Sequence, residues 1–273
     1  MLSELLIILF DIALTCGITL VIPTGHYLHY WLPFIILLVG YVLCVALMWG
    51  ILCLFAIPYK KTNHYEKPSA WASFWLSDVL HYIHRHARIK VKIVNEESLP
   101  KDKFLLVCNH LSKFDPMIIS DLYGYKHRIA FISKPTNFKI PLGGRFMNRC
   151  CYLSIDRYDK LKSLEVIKEA IDLISKEYAS IGVFPEGTRS EDGKFHEFHE
   201  GVFSIALKTN CPLVVMTVKN TEMIKKNFPK RRTVVELEIV KILYPTDYIG
   251  MIAKELSDHC HQLMEESINR VEE

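Results

Sequence analysis

His110 and Asp115 stand five residues apart in the stretch Asn109-His110-Leu111-Ser112-Lys113-Phe114-Asp115. On a continuous helix that step would set the two side chains about 140° apart, because each residue turns roughly 100°. A bent connection can bring them together. A carboxylate bonded to one ring nitrogen holds the imidazole in one tautomer and leaves the other nitrogen free to take a proton. Alone, the pair could also be a surface histidine beside an aspartate that only caps a helix. A second stretch, Phe184-Pro185-Glu186-Gly187-Thr188-Arg189-Ser190, adds an acid, a glycine and a fixed positive charge.

Each stretch needs an element to position it. The apolar run Phe104-Leu105-Leu106-Val107 reads as a buried strand leading into the first, and Ile181-Gly182-Val183-Phe184 as one leading into the second. Asp115-Pro116 reads as a helix start, with Asp at the N-cap and Pro at the first helical position. Both stretches therefore fall in loops at strand ends, where ligands bind in open α/β sheets, and the two could line one pocket.

The remaining pattern supplies the rest of such a sheet. Strands are expected at 88–94, 129–133, 152–155, 213–218 and 233–241, and helices at 116–123, 141–148, 158–178, 201–208 and 248–271. The helix at 158–178 is expected to bury Leu161, Leu164, Ile167, Ile171 and Ile174, and that at 248–271 to lie exposed. Alternating strands and helices argue an α/β domain over 88–273 with a largely parallel or mixed sheet flanked by helices.

Residues 1–57 differ in kind. They hold no Lys or Arg and two acids, Glu4 and Asp11. Leu5 to Ile22 and Trp31 to Pro58 are apolar runs, the second on the order of 40 Å long as a helix. They read as a membrane-embedded helical hairpin over residues 1–60, although Asp11 would be costly facing lipid and a half-inserted hairpin stays open. Lys60-Lys61 after the second run place the following domain on the cytoplasmic side of the membrane. Residues 61–87 carry a segment with Trp71, Phe74, Trp75, Val79, Tyr82 and Ile83 on one helical face. It reads as an interfacial amphipathic helix or as one packed on the domain. His81, His84 and His86 are expected on its solvated side.

The 33 basic residues all lie beyond residue 57, against 28 acids, a net charge of +5 for that part. Such a balance suits a membrane surface or a phosphate-bearing substrate and shows no nucleic-acid-binding stripe. Eight cysteines without a Cys-x-x-Cys pair read as free thiols, and no metal-ligand spacing appears.

His-x4-Asp followed some 70 residues later by Phe-Pro-Glu-Gly-Thr-Arg-Ser resembles the glycerolipid acyltransferase family, over roughly residues 88–241. The resemblance implies an O-acyltransferase without cofactor. A lysophospholipid hydroxyl, first of all that of 1-acylglycerol 3-phosphate, attacks an acyl thioester carried on coenzyme A or acyl carrier protein. Glycerol 3-phosphate or another lysophospholipid is the alternative acceptor, and a non-catalytic lipid-binding protein of the same fold is the alternative to an enzyme. It implies His110 and Asp115 as the catalytic pair, with no protein nucleophile at Ser112 or Ser190. It further implies acceptor binding by Arg189, by Glu186, Gly187 and Thr188 of the same motif, by Lys134 and Arg157 between the motifs, and by Asn109. One departure stands out: many members read Phe-Lys-x-Gly after the second motif, and here the stretch is Phe198-His199-Glu200-Gly201.

Overall fold

In the computed structural model, which describes residues 2–21, 28–60, 63–95, 98–156, 159–190 and 195–270, the chain divides into two compact units, Met1–Lys60 and Lys61–Glu273. The first unit is a pair of helices packed on each other, α1 (Leu2–Val21) and α2 (Leu28–Ala56). Glu4, Ile7 and Asp11 are buried between them, whereas Leu5, Leu6, Leu9 and Phe10 point outward. Asp11 sits against Gly40 of α2, where an added Cβ would collide with its carboxylate. Polar inside and apolar outside is the arrangement that lipid, not water, stabilises. Within α2, Trp31–Ala56 is long and apolar enough to cross a bilayer.

The second unit opens with α3 (Ala70–His86), started by Ser69, whose hydroxyl accepts the Ala72 N–H. Its buried face corrects the sequence expectation. Ala72, Ser73, Asp78, Leu80 and His84 face the domain, while Trp71 is exposed and Phe74, Trp75 and Tyr82 are half-buried. His84, expected on the wet side, is buried because its Nδ1 meets Asp121 Oδ2 at 2.9 Å; His81 reaches the other oxygen of Asp121 at 3.2 Å. A partner supplied from elsewhere in the fold overrides helical periodicity here.

The sheet is built from β1 (Ile89–Asn95), β2 (Leu105–Cys108), β3 (Ile129–Ser133), β4 (Leu153–Ser154), β5 (Ser180–Val183), β6 (Leu213–Lys219) and β7 (Thr233–Leu243). Their spatial order is β1-β7-β6-β2-β5-β3-β4. The five strands from β6 to β4 run parallel; β7 pairs antiparallel to β6, and β1 parallel to β7. Every residue of β2 and β5 is buried, as parallel strands covered on both faces require. In the register, Gly182 of β5 lies opposite Leu106 and Phe131. A Cβ on Gly182 would come within 2.5 Å of the Phe131 ring, so this strand position needs a glycine for close approach.

The helices cover the sheet. After β2 come α4 (Phe114–Ile119), a wide turn at Ser120–Gly124 and α5 (Tyr125–His127). After β3 comes α6 (Gly143–Arg149), and between β4 and β5 lies α7 (Lys160–Ser175). On α7 the buried face is Val166, Ile167, Ala170, Leu173 and Ile174, whereas Leu161 and Leu164 are 76% and 59% exposed, against expectation. The packed stripe lies only over the last three turns, one step round from the face read at the helix start. Next follow α8 (Ser204–Thr209), α9 (Met223–Asn227) and α10 (Ala253–Asn269). The last is not simply exposed: Leu256, Cys260 and Met264 are fully buried, and only its other face meets solvent. All eight cysteines are free thiols.

Candidate active site

The carboxyl ends of β2, β5 and β6, adjacent in the sheet, deliver three loops to one place. The first carries His110, one residue beyond Asn109. Asn109 is buried, and its amide bridges to β6, donating to Val218 O at 3.0 Å and accepting the Val218 N–H at 2.8 Å. It thus extends the ladder by one rung with a side chain and sets where the chain leaves the sheet. That amide is committed to the scaffold, although the resemblance implied it for the acceptor.

Asp115 is wholly buried and turned back toward the loop. Its Oδ2 accepts from His110 Nδ1 at 2.8 Å, from the Leu111 N–H at 2.7 Å and from the Ser112 N–H at 2.8 Å. Its Oδ1 accepts from the hydroxyls of Ser112 and Thr221. Five donors compensate the burial of one carboxylate. This corrects the expected cap. Helix α4 already begins at Phe114, whose N–H is met by Ser112 Oγ at 3.0 Å, and Asp115 lies inside the first turn. Lys113 is the residue before the helix and supplies no side-chain cap, and the carboxylate is spent on His110 and the loop N–H groups instead.

With Asp115 on Nδ1, the proton sits there and Nε2 keeps its lone pair. The ring is not loose. It stacks on Phe184 with centroids 4.4 Å apart, and Phe184 stacks in turn on the buried Phe131 at 5.5 Å. The histidine side chain is 19% exposed, enough for one edge to face a ligand. An imidazole so oriented can accept a hydroxyl proton through Nε2.

The second loop holds the first by its backbone. The Glu186 carboxylate accepts the His110 N–H at 2.8 Å through Oε1 and the His196 N–H at 3.2 Å through Oε2. The Ser190 N–H donates to His110 O at 2.8 Å. Both main-chain groups of His110 are therefore tied by residues of the Phe184–Ser190 stretch. Gly187 turns this loop with φ +71°, a left-handed conformation suited to glycine, and its N–H closes on Phe184 O at 2.9 Å. Burial raises the Glu186 carboxyl above its ordinary range, and those backbone N–H groups and the two nearby histidines oppose the rise only in part.

Thr188 and Arg189 project from the same loop and are exposed. Arg189 has no ion pair among the described residues, and its neighbour Ser190 touches His110, so residues 110 and 189 share one end of the sheet. Lys134 is exposed at the carboxyl end of β3, on the same edge. Arg157 lies outside the described residues. Thr221, at the end of β6, was missed by sequence reasoning. Its signal was its place: a polar residue two positions past a buried parallel strand, the offset that His110 has from β2. Cys108, buried beside the pair, is no nucleophile, since burial first and the Asp115 and Glu186 carboxylates next push its thiol well up. The Ser112 hydroxyl is turned toward Asp115 and the Phe114 N–H, away from the free imidazole nitrogen.

Residues 90–219 match the family described as Acyltransferase. The chain is 30% identical over 215 residues to the 1-acyl-sn-glycerol-3-phosphate acyltransferase BAT2, chloroplastic, of Brassica napus, covering 78% of this chain and 58% of that protein. It is 32% identical over 166 residues to the enzyme of the same description, LPAT1, of Arabidopsis thaliana, covering 60% and 43%. It spans about half the length of the curated relatives it matches. Among solved structures it resembles the 1-acyl-sn-glycerophosphate acyltransferase PlsC of Thermotoga maritima, with TM-score 0.55 and 26% identity, covering 72% of this chain and 83% of that one. The motif loops, the mixed sheet that carries them and these likenesses agree: residues 90–219 form a domain that matches the acyltransferase family.

Proposed function

We propose that this chain is a membrane-bound O-acyltransferase that esterifies the sn-2 hydroxyl of 1-acylglycerol 3-phosphate with an acyl group from a thioester, forming phosphatidate. The observation that carries this reading is the imidazole at residue 110, held by Asp115 on Nδ1 with Nε2 left to the substrate. The names of the relatives from Brassica napus and Arabidopsis thaliana support the acceptor. The apolar Trp31–Ala56 segment supports the membrane.

In the proposed reaction His110 Nε2 takes the acceptor hydroxyl proton as the oxygen attacks the thioester carbonyl. The tetrahedral intermediate then collapses, the C–S bond breaks, and the imidazolium returns the proton to the leaving thiolate. Ester and free thiol are the products, and no covalent acyl-enzyme or cofactor is needed because the thioester is already activated. Arg189 and Lys134, exposed on the same edge, are suited to the acceptor phosphate by charge, and Arg by its fork. Coenzyme A and acyl carrier protein are both suitable carriers of the acyl group.

The test is turnover by the purified full chain with an acyl thioester and 1-acylglycerol 3-phosphate, products read by mass. His110→Ala is expected to lower kcat about 10³-fold, within the range of general-base contributions, and to lower stability by about 1–2 kcal/mol by taking one donor from the buried Asp115 carboxylate, with the fold retained. Retained turnover in that variant would overturn the mechanism. A second acceptor is favoured by one feature, His199 and Glu200 where the family often has a fixed positive charge. Both are exposed, and the His199 N–H is tied to Pro185 O at 2.9 Å, next to the motif. Product from another lysophospholipid, with none from 1-acylglycerol 3-phosphate, would establish that reading instead.

A further inference from the structure

The segment that follows Thr221 has no part in the site just described, yet it is rooted there. Helix α9 begins two residues after the threonine that bonds Asp115. From it to β7 the chain reads Lys225-Lys226-Asn227-Phe228-Pro229-Lys230-Arg231-Arg232. All five cations are exposed, and none forms an ion pair among the described residues. Phe228, between them, is 52% exposed. The nearest acids in sequence do not neutralise the group: Glu222 is a single charge, and Glu236 is paired with Lys92 at 3.3 Å.

This segment is held in shape. Ile224 is buried beneath it, the Phe228 N–H closes on Ile224 O at 3.0 Å, and the Arg231 N–H on Asn227 O at 2.8 Å. Asn227 Nδ2 donates to Thr233 Oγ1 at 3.0 Å, and Arg88 Nη1 to Pro229 O at 3.2 Å. A fixed backbone therefore presents an uncompensated positive surface with an aromatic ring at its centre. A surface polar for solubility alone would mix signs and bury the ring.

We propose that residues 225–232 are a docking surface for the anionic phospholipid headgroups of a bilayer, with Phe228 entering the interface. Charge complementarity is the first ground, since lysine and arginine near an anionic membrane each attract it appreciably at ordinary ionic strength. The ring is the second. A soluble phosphate ligand gains little from an exposed apolar side chain, whereas a bilayer interface accepts one among basic residues. The surface is independent of which acceptor the site uses. Its root lies one residue before the flank of helix α9, at Thr221, whose hydroxyl bonds Asp115 of the site.

Hydrogen exchange of the full chain in nanodiscs tests this. Amides of 224–234 are expected to exchange about tenfold more slowly in discs of phosphatidylcholine with phosphatidylglycerol than in phosphatidylcholine alone, and to lose that protection in high salt. Lys225→Glu with Lys226→Glu and Lys230→Glu should abolish the difference. Phe228→Ser, which keeps every charge, should reduce it in part and guards against a variant that merely misfolds. Equal exchange in both discs would overturn the proposal. So would protection in neutral discs on adding an acyl thioester of coenzyme A or of acyl carrier protein, which would assign the surface to the donor. His110→Ala should leave the protection intact, so loss of turnover and loss of docking read separately.

Discussion

Two regions at the same edge of one sheet, the network around His110 and Asp115 and the pair Thr188 and Arg189, are built on opposite principles. Around His110 and Asp115 nearly every polar atom is committed: the aspartate takes five donors, and the histidine backbone is tied at both ends by Glu186 and Ser190. At Thr188 and Arg189, a few residues away, the side chains stand in solvent. The first region is preorganised before substrate arrives, as a proton-transfer site must be. The second leaves its charge for a ligand. Stability and turnover should therefore be coupled in the first region and independent in the second.

Substitutions can break or sharpen that contrast. The largest effect beyond loss of the histidine is expected at Asp115→Asn. An amide oxygen in the place of Oδ2 would keep the His110, Leu111 and Ser112 donors, but the NH2 in the place of Oδ1 would face the Ser112 and Thr221 hydroxyls and the negative charge would be lost, so kcat should fall about 10²–10³-fold. Stability should fall by about 1–3 kcal/mol in chemical denaturation. A variant that lost turnover without loss of stability would show that the buried network is less coupled than its geometry implies.

Arg189→Ala should do the reverse. The KM for a phosphate-bearing acceptor should rise about 10–100-fold, the worth of a charge-assisted hydrogen bond, with kcat and unfolding unchanged. If kcat fell instead, the guanidinium would belong with the reacting atoms. Thr221→Val, nearly isosteric, removes one donor from the buried carboxylate. A fall in kcat of about tenfold, with a loss of about 1–2 kcal/mol, would place this threonine with the first region. An effect on KM alone would detach it.

The smallest effect concerns pH. Burial raises the Glu186 carboxyl above its ordinary range. Between its unfolded and its folded value the native state holds more protons than the unfolded chain, so this group makes stability fall as pH rises through that window. Glu186→Gln should flatten the slope and, by removing a charged acceptor from the His196 N–H, lower stability by about 1–2 kcal/mol at neutral pH. Denaturation curves at several pH values check both signs; a steeper slope in the variant would refute the assignment to this residue.

The strands that carry the site were legible because parallel, doubly covered strands must hold apolar runs, and Leu105-Leu106-Val107-Cys108, Ile181-Gly182-Val183 and Leu213-Val214-Val215-Met216 are such runs. Their loops were legible because Pro-Glu-Gly-Thr and His-x4-Asp interrupt such runs with groups that a core cannot hold unpaired. Helix faces were read less well. On α7 the sheet covers only the later turns, so Leu161 and Leu164 stay out; on α3 a carboxylate from elsewhere draws His84 in.

By itself the sequence determined which residue types reach the carboxyl ends of the strands, since strand period and apolar burial are local properties of the chain. Only the tertiary structure decided what those residues do there. Asn109 is bound to β6, Glu186 grips a backbone 76 residues away, and Thr221 meets a carboxylate 106 residues before it. No local rule sets such pairings. They follow from strand order, which places β2 between β5 and β6 and so makes neighbours of loops far apart in the chain.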